Sequence, residues 1–183
     1  HKEAGIPGGF LNLALLYLEV HNFDEAERRC RESLRISSAL GLAQLVAENH
    51  STLGDIVMTR GQLDEAESYY QRALEEARRL STVSEEMGAQ KRLARLYLRK
   101  GRHDDARAAI EEASRLARQV GSRYEHAQTE EIFGELQAAG NQSSEAVDHF
   151  ERAASLYATL SKYRLSAACF AKAGLACPGA GGN

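Results

Sequence analysis

Apolar and polar positions along this chain follow a helical rhythm, interrupted by short polar turns at a fixed step. The phrase Gly61-Gln62-Leu63-Asp64-Glu65-Ala66 separates an apolar run, Leu53 to Met58, from an amphipathic run, Ala66 to Leu74. It recurs as His21 to Ala26, as Gly101 to Ala106 and, more weakly, as Asn141 to Ala146. Ala26, Ala66, Ala106 and Ala146 are therefore 40 residues apart. A fixed period in this range is the signature of a solenoid of stacked repeats.

The register holds beyond the turn. Cys30, Tyr70, Ile110 and Phe150 share one position, and Ser33, Ala73, Ala113 and Ala153 another. Leu40, Leu80, Val120 and Leu160 follow, and then Gly41, Ser81, Gly121 and Ser161 mark the helix stop. In the preceding helices Leu53, Leu93 and Phe133 are each followed by a small residue, Gly54, Ala94 and Gly134. Glycine inside a helix costs about 1 kcal/mol of propensity, so these positions imply a close helix approach that compensates. Gly61, Gly101 and Asn141 suit a left-handed helix end. Asp24, Asp64, Asp104 and Ser144 are expected to cap the helices that follow, with Glu27 and Glu67 completing a capping box. Arg107 replaces the glutamate in the third unit.

At the start, Gly5, Pro7, Gly8 and Gly9 make residues 1–9 a breaker-rich, flexible lead-in. Phe10 to Val20 is apolar around most of a helix, which implies neighbours on both sides. Residues 10–177 read as a single array, with units at about 7–46, 47–86, 87–126 and 127–163 and a final first helix over 164–177. Residues 178–183 read as a disordered tail. The expected fold is all-α, antiparallel helix pairs forming a right-handed α-solenoid.

The recurring residues resemble the tetratricopeptide repeat family. One unit reads Leu53-Gly54, Val57, Ala66, Tyr70, Ala73, and the next Leu93-Ala94, Tyr97, Ala106, Ile110, Ala113. The first matches with Ala14, Tyr17, Ala26, Cys30 and Ser33, and the fourth with Phe133-Gly134, Ala146, Phe150 and Ala153. Gln137 departs from the usual apolar residue. The familiar unit is about 34 residues long. The longer unit here is similar to arrays in bacterial regulator sensor domains and in Pins and kinesin-light-chain scaffolds. The resemblance implies a protein-binding module, non-catalytic and excerpted from a larger bacterial protein. Its alternatives are a ligand- or peptide-sensing domain of a transcriptional regulator and an architectural oligomerisation segment.

In such arrays the first helices line a groove where partners dock. The repeat positions transfer to Asn12, Leu15 and Glu19; Ser51, Thr52, Asp55 and Thr59; Lys91, Arg92, Arg95 and Arg99; Glu131, Glu135 and Ala138; and Lys172. Lys91, Arg92, Arg95 and Arg99 share one helical face. Such a stripe either clamps anionic groups of a partner or pairs with Glu131 and Glu135 of the next unit.

Composition narrows the chemistry. A net charge of −3 argues against direct nucleic-acid contact. Tyr17, Tyr70 and Tyr97 sit at core positions of the repeat rather than on a stacking platform. The apolar residues never run long enough for a membrane span. Cys30, Cys169 and Cys177 have no metal-ligand spacing and no disulfide framework, which makes a reducing cytoplasm the expected compartment. Cys30, at an aromatic position of the repeat, is expected to be a small buried hydrophobe. The histidines are dispersed, no phosphate-cradling motif is present, and Glu130 and Glu131 point apart on a helix. No catalytic residue, metal site or cofactor is expected. The apolar helices at both ends raise self-association as a further expectation.

Overall fold

The computed structural model describes residues 6–176. Among them are nine helices and no strand. They are α1 (Pro7–Glu19), α2 (Phe23–Ala39), α3 (Ala43–Thr59), α4 (Leu63–Arg79), α5 (Val83–Arg99), α6 (His103–Val120), α7 (Arg123–Ala139), α8 (Ser143–Thr159) and α9 (Tyr163–Ala176). The expected tail, residues 178–183, lies outside the described residues, as do Cys177 and residues 1–5 of the lead-in.

One turn joins nearly every pair of helices. In the α3–α4 turn the Gln62 amide donates to the Val57 carbonyl at 2.9 Å, and Gly61 to Met58 at 3.0 Å. These two bonds satisfy carbonyls that a helix end leaves orphaned. Gly61 is left-handed at φ 81°, and the equivalent residues His21, Gly41, Ser81, Gly101, Gly121, Asn141 and Ser161 are also at positive φ. These residues recur every 20 positions, half the sequence period. Four of the eight carry a β-carbon, which the left-handed region disfavours by roughly 1–2 kcal/mol.

The tight turn corrects the expected caps. Gln62, Arg102 and Gln142 are the N-cap residues of α4, α6 and α8, and none uses its side chain. Asn22 caps α2 by accepting from the Glu25 amide. The residue that ends one helix motif immediately begins the next helix, two positions ahead of Asp24, Asp64, Asp104 and Ser144. The three aspartates lie in the first turn instead, where they favour the positive end of the helix dipole. Helix α1 begins at Pro7, inside the expected lead-in of residues 1–9. Pro7 needs no amide partner at the helix start, and its carbonyl accepts from the buried Ser33 hydroxyl at 2.7 Å.

Contacts cluster into two compact units, one ending at Ala89 and the other beginning at Gln90, within α5. In the first, Leu11, Ala14, Ala26, Cys30, Leu53 and Ile56 form a buried cluster across α1, α2 and α3. Cys30 is fully buried and its thiol donates to the Asn49 carbonyl at 3.3 Å, as a small core residue should. In the second, Ala127, Ala153, Ala154, Tyr157 and Cys169 form one cluster, and Ala146, Phe150 and Ala173 another.

The small residues work as expected. A β-carbon built on Gly54 would lie 2.4 Å from Cε1 of Tyr70, and one on Gly134 would lie 2.6 Å from Cδ1 of Phe150. In both hairpins the ring of the second helix lies directly on the backbone of the first.

Candidate binding face

The first helices of the repeats carry the expected binding residues, and each unit treats them differently. In the first unit, Asn12, Leu15 and Glu19 of α1 are exposed. On α3 the face is largely committed to the fold. Thr52 is buried and donates to the Glu48 carbonyl at 3.0 Å. Asp55 accepts from the Tyr70 hydroxyl at 2.7 Å, so this carboxylate anchors the ring that covers Gly54. Thr59 is exposed and donates to the Asp55 carbonyl.

In the second unit the face is a charged lattice. Lys91 of α5 bonds both Glu125 and Gln128 of α7. Arg95 meets Glu135 at 3.5 Å. Glu135 and Glu131 each accept from Lys172 of α9 at 2.6 Å. Tyr157 of α8 donates to the remaining oxygen of Glu131 at 3.2 Å. Arg92 is half-buried, Arg99 is exposed, and both have interactions of their own. The basic stripe thus pairs largely within the chain, although the partner of Lys91 is Glu125 rather than Glu131. Consecutive first helices alternate in sign, with cations on α5, carboxylates on α7 and a cation on α9.

Burial and pairing oppose each other in this lattice. Burial pulls the Lys91 ammonium below the usual lysine range, against the favourable pull of Glu125. At Lys172 burial acts in the same sense, yet the bonds to Glu131 and Glu135 outweigh it and the pKa rises. The sequence carried a signal for these pairs. Arg95 and Glu135 are one period apart, and Lys172 and Glu131 one period and one residue, so side chains at matching registers of successive first helices meet.

Sequence reasoning missed a second polar cluster between α7 and α8. Glu130 accepts from Arg152 Nε at 2.8 Å, lies 2.8 Å from His149 Nδ1 and 3.3 Å from His126 Nε2. Burial disfavours its charge, but the bonds to His149 and Arg152 prevail and hold the carboxyl down at about 2. An open cleft of about 520 Å³ beside it is lined by His126, Glu130, Asp148, Glu151, Arg152, Ser155 and Leu156. Glu130 and Glu131 have separate partners, Arg152 and His149 of α8 for the first and Lys172 of α9 with Tyr157 of α8 for the second. Among the described residues, no group of three or more His, Cys, Asp or Glu side chains could hold a metal ion. No helix among them is long and apolar enough to cross a membrane.

Comparison with known proteins follows the same lines. The model of a family described as tetratricopeptide repeat matches residues 9–80 and 85–159. The solved structure of BtubC from P. vanneervenii superposes with a TM-score of 0.73 at 25% identity, covering 86% of this chain and 65% of that one. A signal-transduction ATPase with a tetratricopeptide repeat sensor, from Pyrococcus horikoshii, gives a TM-score of 0.80 at 17% identity, covering 93% of this chain and 26% of that one. A Rap protein complexed with competence and sporulation factor gives 0.70 at 14% identity, over 91% of this chain and 52% of that one. This chain therefore spans less than two thirds of each of these proteins. No curated protein matches it in sequence.

Proposed function

Since this chain belongs to the tetratricopeptide repeat family, a fold of protein-interaction scaffolds, we propose that it is a non-catalytic module whose first-helix faces take a peptide or protein segment. The observation that carries this reading is the held row of alternating charge on α5, α7 and α9. Arg95, Glu135 and Lys172 stand ordered by one another before any partner arrives. A ligand meeting side chains already in place loses less to ordering, and like charges along the row discriminate against the wrong sequence. The binding residues proposed are Lys91, Arg92, Arg95, Arg99, Glu131 and Glu135 in the second unit and Asn12 and Asp55 in the first. Asp55 acts through its hold on Tyr70. The partner is a polypeptide rather than nucleic acid or membrane, and the compartment is the cytoplasm.

The test uses a displayed peptide library panned on the full chain. Peptides it selects should lose at least about tenfold in affinity to the Arg92→Glu/Arg95→Glu variant, with helicity by circular dichroism unchanged. Selected peptides that bind this variant as well as the parent would place binding elsewhere.

A second reading is the ligand-sensing segment of a larger regulator. The likeness to a protein carrying a tetratricopeptide repeat sensor, of which this chain would span 26%, favours it. Rap, solved in complex with competence and sporulation factor, supports a peptide as the sensed ligand. A helix-turn-helix or nucleotide-binding segment in the same reading frame would decide for it.

A further inference from the structure

Glu130, His149 and Arg152 meet in a triangle whose three edges cannot all be hydrogen bonds at once. Arg152 Nε donates to Glu130 Oε2 at 2.8 Å. His149 Nδ1 lies 2.8 Å from that same oxygen and 2.7 Å from Arg152 Nη2. A ring nitrogen carries either a hydrogen or a lone pair. A bare Nδ1 accepts from Arg152 and sets its lone pair against the carboxylate oxygen. An Nδ1 that carries a hydrogen donates to Glu130 and then faces the N–H of Arg152, donor against donor. The guanidinium keeps its charge at every ordinary pH. The Glu130 carboxyl is held down at about 2. Histidine is the side chain that gains a proton between about pH 8 and about pH 5. In the imidazolium Nδ1 carries a hydrogen, so protonation of His149 removes the arrangement in which it accepts from Arg152.

The surroundings decide which member of the triangle moves. The His149 ring stacks on Phe133 of α7, with centroids 5.3 Å and planes 20° apart. The side chains of Glu130 and His149 are 13% and 20% exposed, whereas that of Arg152 is 53% exposed. Asp148 precedes Arg152 by four residues on α8, is exposed and lines the cleft beside them. An acid four positions ahead of an arginine lies within its reach on a helix face. We propose that protonation of His149 transfers the Arg152 guanidinium from Glu130 of α7 to Asp148 of its own helix. Below the transition the imidazolium holds Glu130, and Arg152 neutralises Asp148 at the cleft. Above it Arg152 spans α7 and α8, as in the structure. The charge lining the cleft thus changes with pH while the two helices stay in place. His126 of α7 also faces this carboxylate, but at its other oxygen, 3.3 Å from Oε1. On the neighbouring helices, Lys172 of α9 is engaged by Glu131 and Glu135, Arg107 of α6 meets Gln137, and Arg115 of α6 meets Glu112. The switch is therefore separate from the charged first-helix row.

The test is an NMR titration of the isotope-labelled full chain from about pH 8 to about pH 5, reading the Arg152 Nε–H resonance and the His149 ring nitrogens. The Arg152 resonance should shift with the same midpoint as the His149 ring. His149→Phe keeps a ring to stack on Phe133 but has no proton to gain, so the Arg152 shift should be lost with circular dichroism unchanged. Asp148→Asn should keep the Arg152 shift tied to His149 and displace only its low-pH end point. An Arg152 resonance that stays constant while His149 titrates overturns the proposal. So does a shift that survives in His149→Phe, or one that disappears in His126→Phe instead, which would assign the proton to His126. A low-pH end point indifferent to Asp148→Asn overturns the transfer to that residue. Should His149→Phe fail to fold, the two midpoints in the parent chain decide alone.

Discussion

At the scale of single residues, three glycines in the same register behave differently because of what faces them. Gly54 and Gly134 lie under aromatic rings that are themselves buried, so neither ring can retreat from an added methyl. Gly134→Ala should therefore destabilise the fold by about 2 kcal/mol, overpacking outweighing the gain in helix propensity. Gly174→Ala, with nothing among the described residues to meet, should stabilise by about 1 kcal/mol through propensity alone. Urea denaturation of the two variants reads opposite shifts in midpoint. Equal shifts of the same sign would show that the ring contact carries no weight. The pattern of small residues was legible in the sequence, since Leu-Gly and Phe-Gly sit one period apart. That the third glycine is exposed among the described residues was not, because exposure depends on what packs against it.

At the scale of helices, pairing is decided by polar clusters as well as by apolar stripes. Glu130 ties α7 to α8 through His149 and Arg152. Its folded-state pKa of about 2 lies below its usual 4.5. A depressed carboxyl contributes stability that is fully present above the unfolded pKa and is lost as pH falls toward the folded one. The contribution, roughly 3 kcal/mol, should fade between pH about 4.5 and about 2. Glu130→Gln should be less stable than the parent at pH 6, with the difference shrinking across that window in urea titrations. A constant difference at all pH values would mean that the carboxylate charge is not what binds α7 to α8. This cluster was invisible in the sequence. Glu130, His149 and Arg152 share no motif, and their meeting depends on the angle at which two helices cross.

At the scale of the whole molecule, each compact unit carries a buried thiol that reports on its own opening. Burial pushes the Cys30 thiol up to about 12 and the Cys169 thiol up to about 11. The thiolate is the reactive form, so both cysteines should alkylate orders of magnitude more slowly in the native protein at pH 8 than in denaturant. Mass spectrometry of the two cysteine peptides along a urea series follows residues up to Ala89 and residues from Gln90 separately. Rapid labelling of either cysteine in the native protein would contradict the burial of its core. Stacked repeats hold together through neighbouring contacts, which is why opening can be resolved unit by unit.

The sequence by itself determined the helices, the 40-residue period, the left-handed turn positions and the small residues under the rings. Each of these is a local preference or a strict repetition, and both are written along the chain. Only the tertiary structure decided the internal pairing of the basic stripe and the Glu130 cluster. These depend on distances between helices far apart in sequence, where a charge finds a partner or a ring finds a glycine only after the chain has packed.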